Sequence, residues 1–169
     1  MQEMLNFRYM GSAVVRCVRA YNKYKGRDGI YAQFMRKYWK FRHLLMSIVT
    51  ASEFDADATV GERVLLPHPN GVVVHPRAVI GDDCMIMQQV TIGQRGTRGA
   101  PVIGSRVYIG DGAKILGNVV IGDGARIGAN SVVLVDVPAN FTAVGIPARL
   151  IPPTADHKVM HEIETADAE

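Results

Sequence analysis

Few side chains in this sequence have chemistry to offer, and they are unevenly placed. His68 and His75 stand seven residues apart in the middle of the chain, each followed by proline, behind an acidic run of Glu53, Asp55 and Asp57. A neutral imidazole exchanges protons near neutral pH, so either histidine suits a general base that deprotonates a hydroxyl. Taken alone, His68 reads as a corner histidine bonded to backbone rather than as a base, and the acidic run as a solvated turn. His43, His157 and His161 fall in flanking segments and read as surface groups. A zinc centre fits poorly, because it takes several ligands and the central region has two histidines without a third partner. Cys17 and Cys84 have no metal-ligand spacing and are too few for a disulfide framework. Arg95 and Arg98 lie in an irregular stretch, residues 94–101, where they either meet an anion or stay solvated.

The elements that must position these groups announce themselves through a repeat. From Val60 an aliphatic residue, often followed by glycine, returns every six positions. Val60, Leu66 and Val72 form one register; Ile80, Ile86 and Ile92 form a second; Ile103, Ile109, Ile115, Ile121, Ile127 and Val133 form a third. The phase slips by two residues near His75-Pro76 and by five within residues 94–102. Six is neither the helical period nor a simple alternation. It is one short strand plus one corner, and three such units close a triangular turn of a parallel β-helix with the aliphatic side chain inside. Twelve units make about four coils. The Gly-Asp-Asp at 81–83 and the Gly-Asp-Gly at 110–112 and 122–124 suit corners with positive φ.

Flanking segments read differently. In residues 1–50, Met10, Ala13, Val14, Cys17 and Val18 share one helical face. After the glycines of residues 25–29, Tyr31, Phe34, Met35, Tyr38, Phe41, Leu44, Leu45 and Ile48 follow a second helical period. That stripe reads as core or subunit interface rather than a cofactor site. Residues 51–59 read as a connector, residues 138–153 as a cap on the far end, and residues 154–169 as a polar tail. The organisation expected is a helical segment at 1–50, a β-helix domain at 51–151 and a tail at 152–169. Residues 1–50 carry ten Lys or Arg against two acidic residues, and the remainder nine against fourteen. A solvated basic face is the plain reading; nucleic acid is not expected as a partner, and an anionic membrane surface is the weaker second reading. Without a signal-peptide pattern or an apolar run long enough for a bilayer, the expectation is a cytoplasmic protein.

Five segments carry a more specific likeness. They are residues 66–74 (LPHPNGVVV), 88–93 (QQVTIG), 109–118 (IGDGAKILGN), 127–133 (IGANSVV) and 145–149 (GIPAR). With the hexads, they resemble the hexapeptide-repeat acyltransferases, a family of left-handed parallel β-helices, and within it the serine acetyltransferases and relatives that acetylate sugars or polysaccharide units. The resemblance implies a mainly β fold, left-handed, with the short helical segment in front. It implies direct transfer of acetyl from acetyl-CoA to an acceptor hydroxyl, with no metal, in a homotrimer whose active sites lie between subunits.

The same resemblance implies roles for residues. His68 matches the family's catalytic base. Glu53 occupies the place, fifteen residues earlier, of the carboxylate that orients it; the family has Asp there, and Asp55 is the alternative partner. Acyl-CoA would be met by Gly93, Gln94, Asp111, Gly112, Ala113 and Ala129, with Arg126 and Arg149 toward the nucleotide phosphates. Pro67, Asn70, Arg95 and Arg98 would line the acceptor side, and His75 is structural or acceptor-lining. Serine acetyltransferases carry Asp directly before the histidine and an Arg-His pair closing the loop; this chain has Pro67 and Gly99-Ala100 there. A small-molecule hydroxyl is thus expected as acceptor, with a sugar or polysaccharide precursor as the alternative to serine. A catalytically silent trimeric scaffold is the reading from another class.

Overall fold

A computed structural model describes residues 2–96 and 99–153. Two helices open the chain, α1 (Gln2–Tyr24) and α2 (Ile30–Thr50). Fourteen strands of two to four residues follow: β1 (Glu53–Phe54), β2 (Thr59–Val60), β3 (Val73–Val74), β4 (Val79–Ile80), β5 (Met85–Ile86), β6 (Thr91–Gly93), β7 (Val102–Ile103), β8 (Tyr108–Ile109), β9 (Lys114–Leu116), β10 (Val120–Ile121), β11 (Arg126–Ile127), β12 (Val132–Val133), β13 (Thr142–Gly145) and β14 (Ala148–Ile151). Strands β1–β13 pair in parallel with the equivalent strands of neighbouring coils, giving three sheets along a β-helix. The first sheet runs β1-β3-β6-β9-β12, the second β2-β4-β7-β10, and the third β5-β8-β11-β13, closed by antiparallel β14.

The alternation of a strand places two side chains per hexad inside, not one. The large aliphatic residues stack in columns: Phe54, Val74, Ile92, Ile115 and Val133 under the first sheet, and Ile86, Ile109 and Ile127 under the third, all at most 2 % exposed. Two positions earlier in each unit sits a second inward residue, such as Ala58, Ala78, Cys84, Val107 or Ala125, again buried.

Two expectations about the repeat need correction. Residues 51–59 are not merely a connector: β1 pairs Glu53 with Val73 and Phe54 with Val74, so the stack begins one strand earlier than Val60. Nor does the two-residue slip fall at His75-Pro76. Val74, not Val72, is in register with Phe54 and Ile92, and Val72 fills the second inward position. The extra residues therefore lie between Leu66 and Val72, in the corner that carries His68. Hydrophobicity alone could not separate Val72 from Val74, because both point inward.

Two of the three corners share one backbone device. The corner from the third sheet to the first has positive φ at Gly71, Gln89, Gly112 and Asn130, with Ala51, the C-cap of α2, at the equivalent place before β1, and the corner from the second to the third has it at Arg63, Asp83, Arg106, Gly124 and Asn140. The last residue of each Gly-Asp-Asp or Gly-Asp-Gly triplet supplies this conformation. The first glycine answers a different need: a Cβ on Gly81 would lie 2.6 Å from the Gly104 carbonyl oxygen, and one on Gly110 2.7 Å from the Ala129 nitrogen. Coils at strand spacing leave no room for a methyl there. Aspartates staple the coils, Asp82 Oδ1 accepting from Glu62 N at 2.6 Å and Asp123 Oδ1 from Ser105 N at 2.8 Å.

Helix α1 closes the open end of the column. Val14, Val15 and Val18 join the same apolar cluster as Phe54, Ala58 and Leu66. Asn22 Nδ2 donates to the Ala58 carbonyl at 2.7 Å, and Lys25 pairs with Asp57 at 2.7 Å. The second helical stripe is not core within the chain, since Tyr31, Phe34, Phe41 and Ile48 are more than half exposed. The described end of the chain is the β13–β14 hairpin, as the expected cap; residues 154–169, with His157 and His161, lie outside the described residues.

Burial pushes the Cys84 thiol up to about 11, against an ordinary value of 9.0. A thiol whose folded pKa is raised stabilises the fold fully below pH 9 and loses that contribution as pH rises toward 11. Native protein should therefore stay inert to a disulfide reagent at pH 8, and its urea midpoint should fall between pH 9 and 11 more in the wild type than in Cys84→Ala.

Candidate active site

His68 sits in the enlarged corner between the third sheet and the first, flanked by Pro67 and the buried Pro69. It is exposed, and among the described residues no hydrogen bond occupies its imidazole. The proline on each side limits the backbone and removes two donors, so the corner is rigid without spending the histidine on its own scaffold. Backbone bonds tie it to its neighbours: Gly71 N donates to the Ala51 carbonyl at 3.1 Å and Gln89 N to the Asn70 carbonyl at 2.9 Å. The stack continues through Gly112 N to the Gln88 carbonyl at 2.9 Å and Asn130 N to the Asp111 carbonyl at 2.8 Å. One edge of the β-helix thus collects Pro67, His68, Asn70, Asp111, Gly112 and Ala129.

Glu53 lies one coil away, on the outward side of β1, with its backbone N–H on the Val72 carbonyl at 2.9 Å. Its side chain is exposed, and among the described residues no hydrogen bond joins it to His68. Asp55, the alternative partner, is already engaged: its Oδ1 accepts from Asp57 N at 2.8 Å, holding its own turn. Glu53 is therefore the carboxylate left free beside the segment that follows His68.

The remaining candidates divide between two other places. Gly93, Gln94 and Arg95 stand at the corner from the first sheet to the second, the opposite end of the first sheet from His68. Gln94 is tied down there, accepting from Arg77 Nη2 at 2.9 Å and donating to the Gly96 carbonyl. Arg95 is exposed, and Arg98 lies outside the described residues. Arg126 is on the outward face of β11 with its guanidinium 4.9 Å above the Tyr108 ring, and Arg149 is exposed on β14. Ala113 is fully buried, its methyl inside the column, so only its backbone can face a ligand.

A groove of about 780 Å³ opens between α2 and the first sheet. Its polar lining includes Lys37, Lys40, His43, Ser47, Glu53, Asp55, Asp57 and His75. His75 Nδ1 accepts from Arg77 N at 3.1 Å, which places the proton of the neutral ring on Nε2. His43, read from the sequence as a surface group, donates from Nε2 to the Phe54 carbonyl at 2.5 Å and locks α2 onto β1. The helical spacing that aligns His43 with Trp39, Met46 and Thr50 was the available signal. Among the described residues no cluster of histidine, cysteine, aspartate and glutamate could hold a metal ion.

Known proteins share this β-helix. Residues 100–134 match the family model described as bacterial transferase hexapeptide (six repeats). A serine acetyltransferase of Synechococcus elongatus is 44% identical over 110 residues, which cover 63% of this chain and 45% of that protein. A probable serine acetyltransferase of Oryza sativa is 52% identical over 106 residues, 61% of this chain and 35% of the relative. The chain thus spans less than half the length of these relatives. Among solved structures, soybean serine acetyltransferase complexed with serine superimposes with a TM-score of 0.72 at 41% identity, over 85% of this chain and 58% of that one. A serine acetyltransferase complexed with CoA gives 0.68 at 35% identity, over 82% and 55%.

Proposed function

We propose that this chain, whose residues 100–134 match the hexapeptide transferase model and whose β-helix is similar to those of serine acetyltransferases, belongs to that family and is an acetyl-CoA-dependent O-acetyltransferase with His68 as general base. One observation carries the reading: an exposed imidazole, unclaimed by any hydrogen bond among the described residues, is held in a proline-braced corner at the one point where the third-to-first edge widens. The acceptor hydroxyl attacks the thioester carbonyl while His68 takes its proton, with Glu53 stabilising the imidazolium. The tetrahedral adduct then expels CoA thiolate, which receives that proton. No covalent enzyme intermediate is required.

The acetyl donor would lie along the edge formed by Asp111, Gly112 and Ala129, with Gly93 and Gln94 at the far wall and Arg126 and Arg149 meeting phosphates. His68 and the described residues 94–96 and 99–101 stand at opposite ends of the first sheet. A site that uses both must be closed by two copies, which supports a homotrimer with its sites between subunits.

Specific observations favour a sugar or polysaccharide unit over serine as acceptor. At the loop base, Ala100 is 7% exposed and offers only a methyl, and Gly99, which has no side chain, lies against the Asn118 side chain. Pro67 replaces the carboxylate expected before the histidine. Each charge-assisted hydrogen bond missing from an amino-acid clamp is worth about 1.5–3 kcal/mol. Free thiol released from acetyl-CoA is the assay, with serine, homoserine, hexoses and nucleotide sugars offered in parallel. Release is expected with a sugar-type acceptor at least tenfold above serine. Equal or better use of serine would overturn the acceptor assignment, and CoA binding without turnover on any acceptor would favour the silent scaffold.

A further inference from the structure

Helix α2 presents to solvent what most surface helices hide. Ile30 is 88% exposed, Tyr31 68%, Phe34 65%, Phe41 61% and Ile48 69%. At 3.6 residues per turn these positions share one face, opposite the buried Ala32 and Thr50. Lys37 and Lys40 border the stripe on one side and Arg42 on the other. No acidic residue occurs between Ile30 and Thr50. The helix is therefore apolar outward, with Arg42 on one flank and Lys37 and Lys40 on the other, where they also rim the groove shared with Glu53, Asp55 and Asp57.

We propose that α2 docks this protein on an anionic phospholipid bilayer, lying in the headgroup plane with its aromatic and aliphatic stripe inserted. An interfacial helix has this distribution: an apolar face, basic flanks and too little overall hydrophobicity to span. No described helix is long and apolar enough to cross a membrane. Its 21 residues lie flat over about 31 Å. Charge decides between bilayer and second copy as the occupant. Pairing α2 with α2 of another copy brings lysine and arginine flanks together, and like charges across an interface oppose association. An anionic surface satisfies both flanks at once, while the stripe leaves water.

Co-sedimentation with vesicles tests this on the full chain. In vesicles of equal phosphatidylglycerol and phosphatidylcholine the protein should pellet, with at least tenfold weaker binding to phosphatidylcholine alone. The Phe34→Ser/Phe41→Ser/Ile48→Ser triple variant, checked for native circular dichroism, should stay in the supernatant. A second variant, Lys37→Gln/Lys40→Gln, keeps the stripe and should bind the anionic vesicles roughly tenfold more weakly, with a flatter salt dependence. Wild-type protein that remains soluble beside anionic vesicles overturns the proposal, as does a triple variant that binds as well as the wild type. If the wild type ignores vesicles and the triple variant falls to a smaller oligomer by light scattering, the occupant is a second copy.

Discussion

Replacing His68 with alanine should lower acceptor-dependent thiol release at least a hundredfold, within the 10²–10⁴ range that a positioned general base contributes. The fold should not suffer, because the imidazole is exposed and makes no hydrogen bond among the described residues. Binding of CoA, which the edge at Asp111 and Gly112 would provide, should change little. A loss confined to turnover is the signature of a group that acts on the acceptor proton. Glu53→Gln should be milder and act on turnover alone, since a neutral amide cannot stabilise the imidazolium that forms. Mixing is the sharper form of the experiment. If sites lie between copies, co-expression of His68→Ala with a chain lacking residues 95–99 restores some sites that draw both intact parts from different subunits. Full activity in His68→Ala would end the mechanism, and absence of any rescue would place each site within one copy.

The largest effect on stability is expected at Ile109. Its side chain is completely buried, and in the third sheet it stands in register with Ile86 below and Ile127 above. Truncation to alanine removes three carbons from the centre of a column whose neighbours are fixed by parallel ladders on either side. The coils cannot easily collapse inward, because the strands and corners that flank this position are bonded coil to coil. A loss of about 2–5 kcal/mol is expected for such a site, against about 0.5–1.5 for Ile109→Val. Urea unfolding followed by circular dichroism measures both. An Ile109→Ala chain within 1 kcal/mol of wild type, smaller than the range for cavity formation, would mean that the coils relax independently.

The hexads made most of the fold legible because the β-helix repeats one physical problem. Each strand must bury an aliphatic residue, and each corner must turn where a side chain would clash or φ is positive. Chemistry was legible only in part. His68 stood out because it occupies the corner flanked by prolines in an otherwise glycine-aspartate pattern. The groove did not, because Lys40, His43 and Ser47 come from α2, whereas Glu53 and His75 come from separate coils. No short-range spacing unites groups from three parts of the chain. The slip was misplaced for a related reason: Val72 and Val74 are equally apolar, and only strand register distinguishes them.

By itself, then, the sequence determined the β-helix, the two helices before it, and the corner that carries His68, because each depends on local periodicity and turn chemistry. Tertiary structure alone decided which residues share an edge. It placed His68 and the described residues 94–96 and 99–101 at opposite ends of one sheet, left Glu53 as the unengaged carboxylate while Asp55 holds its own turn, and turned the stripe of α2 outward. Those outcomes follow from how coils stack and from which helix face α1 and β1 cover, and no single strand, corner or helix contains that information.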